Sequence, residues 1–333
     1  MTSHLPHLLL DWYQKNGRDL PWRFKGGAAP DPYPVWVSEI MLQQTTIAMG
    51  TDYFLRWMKR FPTLKSLAEA PLDDVLKMWA GLGYYTRARK LYECAQILEE
   101  KYNRTFPKTH EELLKLPGIG PYTASAICAF AFNQPMTVVD GNVIRVIARL
   151  YGITTPVDIK DIYQRAQKLT PGTQGADYAS AIMDLGATVC KPSSPLCNLC
   201  PWNKDCIALK KKLTDQIPLI KKIEKKKKAG VVFVIEDEKG NLFARKKTKK
   251  GLLSGLWELP WSDEEIPFPF KADWHLHPKT VHHIFTHIDL TLKIYHTTIK
   301  ELPLKEDGQF ISKKDIRNYA FSTLMKKVIK TTC

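Results

Sequence analysis

Apolar and polar positions along this chain follow two different periods. Up to about residue 209, apolar residues return every three or four positions, the spacing of amphipathic helices. In VWVSEIMLQQTTIAMGTDYFLRWMKRF, Trp36, Ile40, Ile47 and Phe54 fall near one repeating face. PLDDVLKMWAGLG, YTRARKLYECAQILEEKYN, THEELLKLPG, YTASAICAFAFN, GNVIRVIARLYG and DIYQRAQKL continue the pattern, with Gly and Pro dividing them at helical lengths. After residue 229 the period changes. GVVFVIEDEKGNLFARKK reads as strand, turn and strand, with Gly240 and Asn241 in the turn, and DLTLKIYHTTIK alternates with period two. IRNYAFSTLMKKVIKTT returns to helix. The pattern predicts a mainly α region over 1–209, a linker over 210–229 and a smaller α+β domain over 230–333.

Length agrees with this division, because 333 residues are too many for one comfortable core. The apolar stretches fall far short of a membrane span, and the first residues do not fit a signal peptide. A reducing, cytoplasmic setting is therefore expected. The formal net charge is +15. Such a surplus attracts polyanions, nucleic acid first among them. It is concentrated in 210–229, where nine lysines face one aspartate and one glutamate. That segment is read as a linker that also touches phosphates.

Four of the seven cysteines, Cys190, Cys197, Cys200 and Cys206, lie within VCKPSSPLCNLCPWNKDC. A reducing compartment disfavours disulfides. Thiolates suit both zinc and iron–sulfur clusters, so the residues alone leave both open. Cys94 and Cys128 sit in apolar helical patterns and read as buried thiols, and Cys333 is the last residue.

LLKLPGIGPYTASAI, residues 113–127, places two helical segments around Pro117–Gly120. Gly118 and Gly120 allow a tight turn. The second helix then opens with free N–H groups, which together with its dipole can hold a phosphate. A purely structural hairpin is the alternative.

Two carboxylates stand out. Glu39 lies among Val37, Ile40, Met41 and Leu42. It is either a first-turn helix carboxylate beside a capping Ser38, or a desolvated acid able to give up a proton near neutral pH. Asp140 precedes a glycine and an apolar-faced helix, so it reads as an N-cap. A capped carboxylate is also rigid enough to stabilise a cationic sugar. Together, one protonated and one ionised carboxyl match the demands of cutting a base from a sugar.

The chain resembles the MutY family of adenine DNA glycosylases, within the helix-hairpin-helix glycosylases. LPWR (20–23), DPYPVWVSEIMLQQT (31–45), GLGYYTRAR (81–89), LPGIGPYTA (116–124), VVDGNVIRVIAR (138–149), MDLGATVC (183–190) and the cysteine array carry the resemblance. It implies base-excision repair by a monofunctional hydrolase. The substrate would be adenine paired with 8-oxoguanine or guanine in double-stranded DNA, and the enzyme a monomer, bacterial and associated with the nucleoid when bound to DNA. By resemblance, Glu39 protonates the adenine, Asp140 stabilises the sugar cation, Asn142 stands beside it, and Tyr122 orients Asp140 or lines the pocket. Related bifunctional enzymes carry a Schiff-base lysine where Tyr122 stands, so amine chemistry is not expected. Arg23, Gln44, Tyr84, Gly118 and Gly120 are expected to contact DNA. The resemblance also implies a 4Fe-4S cluster on Cys190, Cys197, Cys200 and Cys206. GLWELP (255–260) and HHIFTHIDLTL (282–292) resemble a Nudix-like lesion-recognition domain, with Phe285, Thr286 and His287 toward 8-oxoguanine. The glutamate-rich helix of a Nudix hydrolase is missing after Gly251. Thr46, where Gln is common, and Thr286, where Ser is familiar, depart from the family pattern. The rival readings are an endonuclease III-like enzyme for oxidised pyrimidines, a non-catalytic DNA-binding protein and, more remotely, a redox protein.

Overall fold

The computed structural model describes residues 3–23, 30–219, 224–248, 251–303 and 307–332. The helices run α1 (Leu5–Asn16), α2 (Pro32–Met41), α3 (Ile47–Arg60), α4 (Leu64–Ala68), α5 (Leu72–Trp79), α6 (Tyr85–Lys101), α7 (His110–Leu113), α8 (Pro121–Phe132), α9 (Gly141–Leu150), α10 (Ile159–Gln167), α11 (Gly175–Asp184), α12 (Ile207–Lys210) and α13 (Thr323–Thr332). The strands are β1 (Lys226–Asp237), β2 (Leu242–Lys246), β3 (Trp257–Glu258), β4 (Trp261–Ser262), β5 (His275–Leu276), β6 (Val281–Ile284), β7 (Ile288–Ile299) and β8 (Gly308–Ile311). None of the described helices is long and apolar enough to cross a membrane.

The chain divides into two compact units. One comprises Met1–Glu69 and Glu93–Lys221, the other Ala70–Tyr92 and Lys222–Cys333. Helical periodicity thus sorts residues by structure, whereas contacts place 70–92 with the later part of the chain. Residues 220–223 and Cys333 lie outside the described residues. The lysine-rich stretch does not stay a linker to residue 229, because Lys226 already opens β1.

In the first unit, several helices begin where polar residues satisfy their free N–H groups. Asp31 accepts from Tyr33 N, Thr46 from Met49 N, and Asp140 from Val143 N. The departure at Thr46 is thereby explained locally, since its hydroxyl caps α3. The helices bury a core that includes Leu9, Val143, Ile147, Ile182, Leu185 and Trp202. The Trp202 indole donates to the Leu5 carbonyl at 2.8 Å, which pins the cysteine-rich segment to α1.

The second unit is built on a mixed sheet with the path β3-β2-β1-β7-β5. β1 and β7 pair in parallel from Lys226↔Ile288 to Asp237↔Ile299. β1 and β2 form the predicted antiparallel hairpin, with Gly240 at φ +76° in its turn. The period-two face of β7 points Leu290, Leu292 and Ile294 into the core, where Leu324, Met325 and Val328 of α13 cover them.

Candidate active site

A cavity of about 760 Å³ opens in the first unit, lined by Arg23, Glu39, Gln44, Gly118, Gly120, Tyr122, Asp140 and Asn142 among others. Eight expected site residues from four separate stretches of sequence therefore meet in one place.

Glu39 reaches it from the last turn of α2, not the first. Glu39 is therefore not a first-turn carboxylate, and at this end the helix dipole does not favour its charge. Ser38 does not cap the helix; its hydroxyl donates back to the Val35 carbonyl at 2.7 Å. Eight of the ten α2 residues are buried, and Glu39 is 8% exposed. Burial pushes its carboxyl up to about 7, against the opposing pull of the Tyr122 hydrogen bond and the Arg23 charge and with a further push from Asp140.

Tyr122 is the second residue of α8 and donates its hydroxyl to Glu39 Oε2 at 3.1 Å. Of its two expected roles, orienting Asp140 or lining the pocket, Tyr122 takes the second, and its hydrogen bond goes to Glu39. Burial and the nearby Glu39 and Asp140 hold the phenol well above its ordinary range, so it remains a donor. The preceding turn has Gly118 at φ +78°, and Gly120 caps α8 without a side chain. The first arm of the hairpin is shorter than predicted, with α7 ending at Leu113.

Asp140 is the N-cap that its sequence position implies. Oδ1 accepts from Val143 N as the α9 cap, and Oδ2 accepts from Asn142 Nδ2, each at 2.8 Å. Asn142 is fixed in turn by Arg145, whose Nη2 donates to Asn142 Oδ1 at 2.8 Å and to Gly186 O at 2.7 Å. Gly186 lies in a π-helical turn, Leu185–Val189, that follows α11. A Cβ at Gly186 would stand 2.6 Å from Asn142 Cβ, so this close approach requires glycine.

Arg23 does not extend outward. It donates to Asp184 Oδ2 at 2.8 Å, while Arg18 holds Asp184 through its backbone N and guanidinium. Asp184 is fully buried, and although burial opposes ionisation, the arginine contacts hold its carboxyl below the usual range. Sequence reasoning gave no role to Arg18, Arg145 or Asp184. MDLGATVC contained the aspartate, but its partners are 161 and 166 residues away.

Gln44 and Tyr84 share an unusual backbone, with φ +59° and +47°. Gln44 lines the first cavity, whereas Tyr84 lines another of about 550 Å³ in the second unit. Phe285, Thr286 and His287 line that second cavity too, in the turn joining β6 to β7. The Tyr84 hydroxyl and Thr286 Oγ1 are 2.5 Å apart. Main-chain bonds brace the turn, from Phe285 N to Ile288 O and from Lys226 N to His287 O.

The cysteine array requires a correction. Among the described residues, no group of three or more His, Cys, Asp or Glu side chains is placed to hold a metal ion. The 4Fe-4S cluster expected on Cys190, Cys197, Cys200 and Cys206 is therefore not supported; the expected mainly α region and α+β domain stand without it. The four residues are free thiols that border a small cavity of about 30 Å³. Burial pushes Cys200 up to about 12 and also raises Cys197 and Cys206. Sequence spacing specified which thiols share a segment, but not how their side chains converge. The segment is held by polar contacts instead. Buried Arg149 donates to the carbonyls of Lys191 at 2.6 Å, Pro192 at 2.9 Å and Ile217 at 2.8 Å.

Residues 37–171 match the HhH-GPD superfamily base excision DNA repair protein model, and residues 231–331 match the NUDIX domain model. The adenine DNA glycosylase of Buchnera aphidicola subsp. Acyrthosiphon pisum (strain APS) is 39% identical over 268 residues, covering 78% of this chain and 75% of that protein. The adenine DNA glycosylase of Homo sapiens is 33% identical over 399 residues, covering 97% of this chain and 72% of that protein. A solved thermostable thymine-DNA glycosylase superposes with a TM-score of 0.56 at 28% identity, over 62% of this chain and 95% of that one. With these relatives matched over most of their length, and with buried Glu39 and half-buried Asp140 brought into one cavity, the chain belongs to the adenine DNA glycosylase family of the HhH-GPD superfamily.

Proposed function

We propose that this protein is a monofunctional base-excision repair enzyme that binds double-stranded DNA and hydrolyses the N-glycosidic bond of adenine paired with 8-oxoguanine or guanine. The single observation that carries the reading is the meeting of two carboxyls in one cavity. Glu39 is desolvated and held near 7, in the same cavity as an Asp140 clamped by two N–H donors. Glu39 supplies the proton to the departing adenine, whose bond to the sugar then breaks. Asp140, as a carboxylate, stabilises the cationic sugar until water adds. Asn142 and Arg145 keep it in place. Tyr122 contributes a hydroxyl and no amine, so the sugar is released by water and not through a Schiff base.

Extracting the adenine from the stack costs a few kcal/mol, which inserted side chains offset. Gln44 and Tyr84 are suited to this by their left-handed turns. The Phe285–His287 turn supports reading of the opposite base, with the Thr286 hydroxyl poised by Tyr84. Four features support adenine over oxidised pyrimidines: Tyr122 in the hairpin, Glu39 in the cavity, the second unit and relatives that are adenine DNA glycosylases.

Single-turnover excision from a duplex panel tests the proposal. Adenine opposite 8-oxoguanine should be released fastest and adenine opposite guanine more slowly. Thymine glycol should remain, and borohydride should trap no adduct. Release of thymine glycol in preference to adenine would establish the endonuclease III-like alternative.

A further inference from the structure

The second unit carries a basic groove that the proposed chemistry does not use. It has a volume of about 370 Å³ and lies between Lys313–Arg317 and the outer face of α13. Lys313, Lys314, Arg317, Lys326 and Lys330 rim it, with Ile316 and Ile329 at its base. Lys313 is neutralised by Glu236 at 2.9 Å. The carboxylates of the described residues leave Lys314, Arg317, Lys326 and Lys330 without an ion pair. Like charges gathered this way repel one another unless an anion joins them. Burial lowers Lys326 below the ordinary lysine range.

The groove's position favours one kind of anion. Lys326 and Lys330 lie one turn apart on α13, about 6 Å along its axis. The start of the same helix, with Ser322, Thr323 and Leu324, lines the cavity that holds Phe285, Thr286 and His287. Lys327 Nζ also donates to the His282 carbonyl on β6 at 3.1 Å. From Thr323 to Lys330 is about 10 Å of helix, so one polymer can meet both places. A chain of closely spaced phosphates meets this requirement, and its contacts do not depend on sequence.

We propose that this groove is an additional seat for the sugar–phosphate backbone of duplex DNA, beyond the adenine cavity and the Phe285–His287 turn. The inference rests on the reading of the protein as a DNA-binding enzyme. It predicts that DNA flanking the mispair is gripped along α13 without a part in bond cleavage.

The test uses the full chain with Lys314→Gln, Arg317→Gln, Lys326→Gln and Lys330→Gln combined, and Lys326→Gln with Lys330→Gln as a milder pair. Binding of an undamaged duplex is measured across a salt series, with melting temperature as the check on folding. Loss of two to three phosphate contacts should raise Kd about 10-fold or more and reduce the slope of log K against log salt by about 2 to 3. The milder pair should show a smaller change in the same direction. Excision at saturating substrate should stay unchanged, since none of the four residues touches the adenine cavity. Unchanged Kd and slope in both folded variants would overturn the proposal. So would loss of binding to a glutamate-rich peptide with duplex affinity intact, which would assign the groove to an acidic polypeptide. If the wild type bound duplex but released no adenine, the enzymatic reading would fail while the ratio of Kd values still judged the groove.

Discussion

Glu39 shows how one residue takes on a chemical property from its surroundings. Its sequence position allowed an ordinary helix carboxylate, and burial at the last turn of α2 makes it an acid near 7. Two consequences follow with defined signs. Excision should fall as pH rises through about 7, because the proton donor is lost. Stability should also fall between the ordinary carboxylate range and about 7, because the folded state retains a proton that the unfolded state has released. The rise from 4.5 to about 7 corresponds to roughly 3 kcal/mol. Glu39→Gln should remove this slope, leaving the variant more stable than wild type at pH 8 by up to that amount. Urea denaturation at pH 5 and pH 8 measures the difference, and parallel pH dependences for the two proteins would contradict the assignment. Tyr122→Phe should move the activity limb to higher pH, since the tyrosine hydrogen bond holds the Glu39 carboxyl down. A pH–rate profile of that variant, moving downward instead, would show that the phenol acts otherwise.

Among the elements, α9, α11 and the π-helical turn Leu185–Val189 act as a frame around Asp140. A methyl group at Gly186 would press on Asn142, which holds the Asp140 carboxylate. Gly186→Ala should cost about 1–3 kcal/mol and slow excision more than it weakens DNA binding. Thermal melting and single-turnover rates measure both, and an unaltered rate would mean that Asn142 tolerates displacement. Asp184 makes a comparable link to the segment after α1. Asp184→Asn leaves Arg18 and Arg23 without their buried counter-charge and should cost about 3–5 kcal/mol. The wild-type contribution is present above the ordinary aspartate range and fades as pH falls below it, because the folded carboxyl is the stronger acid. The penalty of the variant should therefore shrink in acid, which denaturation at pH 3 and pH 7 can check. These frames explain what was legible beforehand. The Asp140 cap, the β1–β2 turn and the alternation in β7 are local and could be read from neighbouring residues. The last-turn position of Glu39 depended on where α2 ends. The Arg18–Asp184–Arg23 cluster depended on contacts across more than 160 residues. For the cysteines, spacing was legible and side-chain convergence was not.

At the scale of the whole molecule, the two units carry different parts of the proposed task. The first holds the carboxyl pair, and the second holds Tyr84 with the Phe285–His287 turn. Thr286→Val keeps the methyl shape and removes the hydroxyl that meets Tyr84. It should narrow the rate difference between adenine opposite 8-oxoguanine and adenine opposite guanine, by several-fold for one hydrogen bond of about 1 kcal/mol. The rate ratio on the two duplexes decides this, and an unchanged ratio would remove Thr286 from lesion reading. The central claim is that Glu39 and Asp140 cut the adenine bond as a pair. Its most direct test is single-turnover release of adenine opposite 8-oxoguanine by Glu39→Gln and Asp140→Asn, each shown to be folded and bound to the duplex. The account predicts that each variant loses more than about 100-fold in rate with its DNA affinity retained. Release at close to the wild-type rate by either folded, DNA-bound variant would contradict it.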